Sequence, residues 1–257
     1  AEGKLMELAG QPVHGPRLEL FRAPTDNDRG AHFGSYNHSD PWQEDEHGVP
    51  GNGEPGPSNA DLWTAAGLDR LKARVLSVAT GPGRVQVATR YSAADQACSI
   101  RVDEQLSLDE SGLWLRIDMV PSRGWTSVWP RFGVRFQLGK EVDSASWYGL
   151  GPHESYPDSR LAARVGRYSA SIDDLPVEYA RPQETGHRSD LRELELGVGG
   201  APWLRIEAWP DGLDRRPGFT LSRHTAQQLA GAAHPHELPE PTNSWLYVDA
   251  AQHGVGS

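Results

Sequence analysis

With one cysteine in 257 residues, Cys98 has no partner for an intrachain disulfide and no companions for a thiolate metal cluster. That scarcity suits a reducing, cytoplasmic setting. Basic clusters are missing too. The net charge is −10, and the nearest basic pair, Arg215-Arg216, is hemmed by Asp211, Asp214 and Pro217, so nucleic acid is not an expected partner. No apolar run approaches the ~20 residues of a membrane-spanning helix. The first residues also lack the charged-then-apolar pattern of a secretory leader, so no membrane association is expected.

Familiar catalytic signatures are equally scarce. There is no G-x-S-x-G elbow and no H-E-x-x-H; His236-Glu237 lacks the second histidine. Gly149-Leu150-Gly151 opens like a dinucleotide fingerprint, but Glu154 stands at the third glycine and Pro157 would break the helix that should follow. Asp26-Asn27-Asp28 lacks the further alternating oxygen ligands of a calcium loop and reads as turn chemistry. Helical periodicity is thin. Ser58 can cap a short helix over Asn59 to Ala66, and Thr225 another over Ala226 to Ala232.

What the chain does carry is a period of two. In LWLRIDMV, Leu113, Leu115, Ile117 and Met119 share one face, with Arg116 and Asp118 on the other. FGVRFQL sets Phe132, Val134, Phe136 and Leu138 against Arg135 and Gln137, and VQVATRY, CSIRVDEQLSL and WLRIEA alternate in the same way. Gly81-Pro82-Gly83 and Asp109-Glu110-Ser111-Gly112 join consecutive runs as hairpin turns. The pattern predicts an all-β chain of mostly antiparallel strands in two packed sheets, forming one domain over residues 1–257. Gly30 to Pro57 has almost no aliphatic residues and is expected to be a long loop over about residues 31–60. Residues 150–200 also read as loop, with no clean strand before Trp203.

Two constellations remain as candidate chemistry. WYGLGPHESYPDSR, Trp147 to Arg160, sets His153, Glu154, Tyr156 and Asp158 within six positions. RPQETGHRSDLRELEL adds Gln183, Glu184, His187, Arg188 and Asp190. Paired carboxylates facing a scissile bond would suit glycoside hydrolysis, and a Glu with a His would suit mutarotation at an anomeric centre. The same residues can equally be satisfied corner groups that bond loop backbone, with Arg188 paired to a carboxylate. Nine tryptophans are compatible with sugar stacking and also with simple core filling.

FRAPTDNDRG (Phe21 to Gly30), WYGLGPHESYPDSR and RPQETGHRSDLRELEL, in this order and followed by the ending Phe219 to Ser257, resemble the C-terminal domain of the β-galactosidases of glycoside hydrolase family 2. The resemblance spans almost the whole chain. It implies a β-supersandwich of the galactose-mutarotase-like type. It also implies a parent enzyme whose nucleophile and acid/base glutamates sit on a TIM barrel absent from this chain. On that basis the fragment has no catalytic residue. It completes the active-site wall of an enzyme that hydrolyses terminal β-D-galactosides such as lactose with retention, and it is inactive alone. Its partners would be the β-galactoside, the other domains and, in the parent, further copies of the enzyme. The family's Mg and Na ions would be bound mainly by the absent domains, so no metal is expected here.

The resemblance further makes His153, Glu154, Tyr156, Asp158, Glu184, His187 and Arg188 candidates for the substrate cleft. It makes Gly30, with Asp26, Asn27 and Asp28, the candidate hinge of an active-site loop. There are departures. The 31–60 loop looks longer than in the family, Ser155 and Ser159 stand where Asn and Arg are frequent, and any corner-bracing arginine would then be Arg160 or Arg164. The ending at Gly254-Val255-Gly256-Ser257 falls where the family continues, so the last strands of the domain are expected to be missing. The alternative is a free-standing aldose-1-epimerase-like or carbohydrate-binding module using Glu154 with His153 or His187.

Overall fold

The computed structural model describes residues 3–30 and 57–256. The expected 31–60 loop therefore lies almost entirely outside the described residues. Among the described residues thirteen strands alternate with very little helix. The first sheet contains β1 (Leu5–Leu8), β2 (Gln11–Glu19), β7 (Arg131–Gly139), β13 (Asn243–Gln252) and β12 (Gly218–Ser222), side by side in that order. A second sheet runs β11 (Ala201–Glu207), β10 (Glu193–Val198), β8 (Val142–Gly151), β9 (Arg164–Ser171). The third is a meander, β3 (Lys72–Gly81), β4 (Arg84–Ser92), β5 (Ser99–Asp109), β6 (Gly112–Pro121). Every pairing is antiparallel.

The all-β reading therefore holds, but with three sheets in place of two, and two strands fall inside the stretch expected to be loop. Both have a physical reason. The β9 strand, RVGRYSAS, lies at a sheet edge and carries small and polar residues, so its alternation is faint in sequence. The β10 strand is short, and only Leu194 and Leu196 mark its buried face.

Alternation builds the core. On β13 and β12, Leu246, Phe219 and Leu221 face the second sheet, where Trp147, Leu194 and Leu196 meet them, all at most 3% exposed. A second cluster joins Leu18, Leu20 and Phe21 to Tyr91, Ile100 and Val102 of the third sheet. The β2 strand feeds both clusters, through Val13 and Leu18. The far end of the third sheet runs past this core. Leu113 and Leu115 pair with Leu108 and Leu106 as the period of two requires, yet they remain 39% and 37% exposed.

Among the described residues three short α-helices sit at the loops, and a capping box starts each: α1 (Asp26–Arg29) from Thr25, α2 (Asn59–Ala65) from Ser58, α3 (Ala226–Gly231) from Thr225. Such short helices are marginal alone, and packing must hold them. Trp63 of α2, 1% exposed, is the anchor for its helix in the second cluster. Replacing Trp63 by Ala is expected to cost about 3–5 kcal/mol of stability, against about 1 kcal/mol for the cap change Ser58→Ala. Urea unfolding of the two variants measures both. Equal costs would mean that the cap, not the tryptophan, docks α2.

Candidate functional site

The remaining face of the first sheet carries charge. Along β13 and β7 the positions facing away from the core hold Tyr247 and Asp249, with Arg131, Gly133 and Arg135 alongside, and Glu19 of β2 joins them. A Cβ at Gly133 would overlap Asp249 Oδ1, so only glycine lets the carboxylate lie across the neighbouring strand. The loops that carry the two candidate constellations fold over this face and bury it.

Arg131 lies at the centre. Its Nη2 donates to Glu184 Oε1 at 2.9 Å, and its Nε lies 3.1 Å from Asp249 Oδ1, off the hydrogen-bond direction. Its guanidinium also stacks over Tyr247 at 4.2 Å. Glu184 Oε1 further accepts from Tyr156 OH at 3.2 Å and Gln252 Nε2 at 3.3 Å. Burial raises the Asp249 carboxyl above its ordinary value, opposed by Arg131. Burial also raises the Tyr156 hydroxyl, and Glu184 adds to the effect.

The His187 ring fits against β12 because Gly218 has no Cβ to strike it. Its Nδ1 is 3.3 Å from Thr220 Oγ1 and 3.6 Å from Asp249 Oδ2. Burial first, then the charges of Arg131, Arg188 and Arg22, lower its pKa to about 3, so the ring is neutral when folded. Arg188 donates to the carbonyls of Leu175, Gly186 and Pro152, while its backbone bridges Phe219. The Glu154 carboxylate accepts from Thr185 Oγ1 at 3.1 Å, the Gly186 amide at 2.9 Å and Tyr179 OH at 3.2 Å.

A second buried pair ties in the first motif. Arg22 and Asp28, both fully buried, meet through Nη2–Oδ1 at 2.6 Å and Nε–Oδ2 at 3.1 Å. The other Arg22 donors reach the carbonyls of His253 at 2.6 Å and Gly254 at 2.7 Å. Asn27 Nδ2 donates to the Val255 carbonyl at 3.0 Å, and the Asp158 carboxylate accepts the Gly256 amide at 2.6 Å. Burial works against the charge on Asp158, but the amides of Gly256 and Val255 hold its pKa below the usual value. Gln183 Oε1 accepts the Asp26 amide, which docks α1 on the third motif.

The structure thus brings Tyr156, Glu184, His187 and Arg188 together in the interior and places Asp26, Asn27, Asp158 and His153 at the surface. Gly30 caps α1 with φ −62° and ψ 135°, angles open to any residue, and a Cβ there would meet Asn27 O at 3.3 Å. Arg160 and Arg164 do not brace the corner. Arg160 is exposed, and Arg164 Nη1 bonds the carbonyls of Leu161 and Ala163. Arg22, Arg131 and Arg188 brace it, and the first two had escaped the sequence reading, as had Asp249. The available signal was Arg-Phe-Gly-Val at 131–134, a glycine inside a strand pattern, which marks a close approach. No group of three or more His, Cys, Asp or Glu able to hold a metal occurs among the described residues, and Asp28 is fully engaged by Arg22 and the Thr25 amide.

Two measurements follow from this geometry. Asp28→Ala strands Arg22 without its counter-charge and is expected to cost about 3–5 kcal/mol in urea unfolding; a cost below 1 kcal/mol would mean that water already reaches the pair. Unfolding returns His187 from about 3 to its ordinary 6.5, so below pH 6.5 the unfolded chain binds a proton that the folded chain does not. Stability should therefore fall as pH drops from 6.5 to about 3, by up to ~1.4 kcal/mol per pH unit from this group. His187→Gln should flatten that slope in urea midpoints taken across the window. An unchanged slope would assign the acid limb to other groups.

Residues 1–257 match the family described as β-galactosidase small chain. The β-galactosidase of Arthrobacter sp. (strain B7) is 57% identical over 255 residues, which cover 99% of this chain and 25% of that protein. Those of Aeromonas hydrophila and Enterobacter cloacae are 34% and 30% identical, each over 92% of this chain, and the match covers 21% and 20% of their lengths. The chain thus spans a quarter or less of these relatives, which contain other domains. Together with the antiparallel sheets described above, the match over its full length makes this chain a member of the β-galactosidase small-chain family.

Proposed function

We propose that this chain is one β-supersandwich domain of a β-galactosidase that hydrolyses terminal β-D-galactosides, lactose among them, with retention of configuration. In this reading the nucleophilic and acid/base carboxylates lie on another domain. This domain completes the wall of the active site and stabilises the assembled enzyme. A cytoplasmic location, a homo-oligomeric parent and Mg or Na ions held by other domains belong to the same proposal.

The supporting observation is how the candidate residues are engaged. Retention needs two carboxyl groups roughly 5–5.5 Å apart on either side of an open bond. Glu184 and Asp249 share Arg131 at 5% and 1% exposure, where no sugar can reach them. Glu154 already accepts three protein donors. In this reading the surface above the network, formed by Asp26, Asn27, Asp158 and the chain at 253–256, faces a neighbouring domain or substrate.

Purified alone, the chain is expected to release no nitrophenol from nitrophenyl β-galactoside, whereas the full-length enzyme turns it over; turnover by the chain alone would sink the accessory reading. The epimerase alternative makes the opposite prediction for freshly dissolved α-galactose. Optical rotation should relax at the uncatalysed rate with the chain present. Acceleration abolished by Glu154→Gln would instead make Glu154 a catalytic residue.

A further inference from the structure

Among the described residues only two tryptophans are exposed, Trp114 at 44% and Trp209 at 65%, and these two are neighbours. Their ring centroids lie 6.3 Å apart at an interplanar angle of 36°. Trp114 belongs to the β5–β6 hairpin of the third sheet, and Trp209 to the loop that leaves β11 of the second. No strand-pairing rule brings them together. Trp114 stands on the solvated face of β6, in line with Arg116 and Asp118, where alternation calls for a polar residue. Core filling, the ordinary role of a large aromatic, therefore accounts for neither indole.

Polar networks hold the Trp114 ring and the loop that carries Trp209. Trp114 Nε1 donates to Ser111 Oγ at 3.0 Å, and Ser111 is fixed by Asp109 through its amide and its hydroxyl. The Trp209 loop is braced by Asp211, which accepts the amides of Leu213 and Arg215 and both ends of the Arg215 guanidinium. The Arg215 side chain, with those amides, lowers the Asp211 pKa to about 2, so the carboxylate stays charged. Asp214 in the same loop holds φ at +59°. Among the described residues Trp209 Nε1 has no hydrogen-bond partner, which leaves one directed donor beside an exposed ring face.

Two pre-oriented indole faces, a free N–H and a rim of fixed carboxylates complement a pyranose, which offers an apolar C–H face and a ring of hydroxyls. A broad protein interface would need a continuous apolar patch; Trp114 instead shares its face of β6 with the Arg116–Asp118 pair, and the exposed apolar neighbour in the Trp209 loop is the single side chain of Leu213. We infer that Trp114 and Trp209 form a sugar-binding surface, separate from the Arg131 network, that takes the pyranose units of a β-galactoside oligosaccharide. Only the choice of sugar rests on the galactosidase reading above.

The test is to titrate lactose into the 15N-labelled chain and follow the indole Nε1–H signals. Saturable shifts are expected at Trp114 and Trp209 at millimolar sugar, with the buried Trp63 and Trp147 signals unmoved. Trp209→Ala should weaken binding by ~10-fold or more, and Trp209→Phe, which keeps a stacking face, should retain part of it. Absence of a saturable shift, or a shift that survives in Trp209→Ala, overturns the inference. So does a change in oligomeric state on Trp209→Ala without any response to sugar, since that would mark a protein interface. Hydrolysis of nitrophenyl β-galactoside by the full-length enzyme is measured alongside. If that hydrolysis is absent while the lactose shifts persist, the galactosidase reading falls and the sugar site stands.

Discussion

A guanidinium removed from water needs a partner for its charge and acceptors for its N–H groups, and Arg22 obtains the first from nearby Asp28 and others from a segment distant in sequence. Asp28, six residues on, supplies the charge through two contacts, which forces the chain to turn back at once and produces the four-residue helix α1. The remaining donors recruit the carbonyls of residues 253 and 254, so the strand that closes the first sheet must run on to the same point. Trp63 lies against the guanidinium, 5.2 Å from its ring centre, and brings α2 with it. In a low-dielectric interior such a pair contributes little net stability over apolar packing, but leaving either partner alone is costly. The pair therefore acts mainly as a register device, making the correct arrangement of three segments far cheaper than any other.

Arg131 repeats that logic with two carboxylates in place of one. A single cation lies between Glu184 and Asp249; burial first, and then the charge of Glu184, raises the Asp249 pKa against the pull of Arg131. His187, held neutral by burial and by three arginines, adds no positive charge to relieve it. The corner thus holds its charges by geometry, with the Tyr156 hydroxyl and the Gln252 amide bonding the carboxylates and the Thr220 hydroxyl meeting His187. Chemistry on a soluble substrate would need the reverse, a perturbed group open to the solvent.

Much of the architecture was legible because alternation reports burial directly. The β4–β6 meander, the β7 strand and the two capped helices at Ser58 and Thr225 were readable from side-chain type alone. Legibility failed where burial was uneven or shared. The β9 strand packs only one edge of a sheet, and its small residues look like loop; the number of sheets depends on which strands pair, which alternation does not encode. In the candidate site, the residues inside the two unusual motifs were visible, whereas Arg22, Arg131 and Asp249 were not. Arg131 and Asp249 sit in ordinary strand patterns and Arg22 in the segment after β2, and nothing in the sequence beside them marks their partners.

The glycine at 133 shows what such pairing does to the freedom of single positions. Its missing Cβ is the space in which the Asp249 carboxylate lies, on the strand next door. Any side chain at 133 would push that carboxylate off Arg131, while shortening Asp249 would leave a void against bare backbone. The two positions are in effect one, split between two strands far apart in the chain. Neither can drift on its own, and a history of change at this corner would have to pass through paired substitutions or not occur at all.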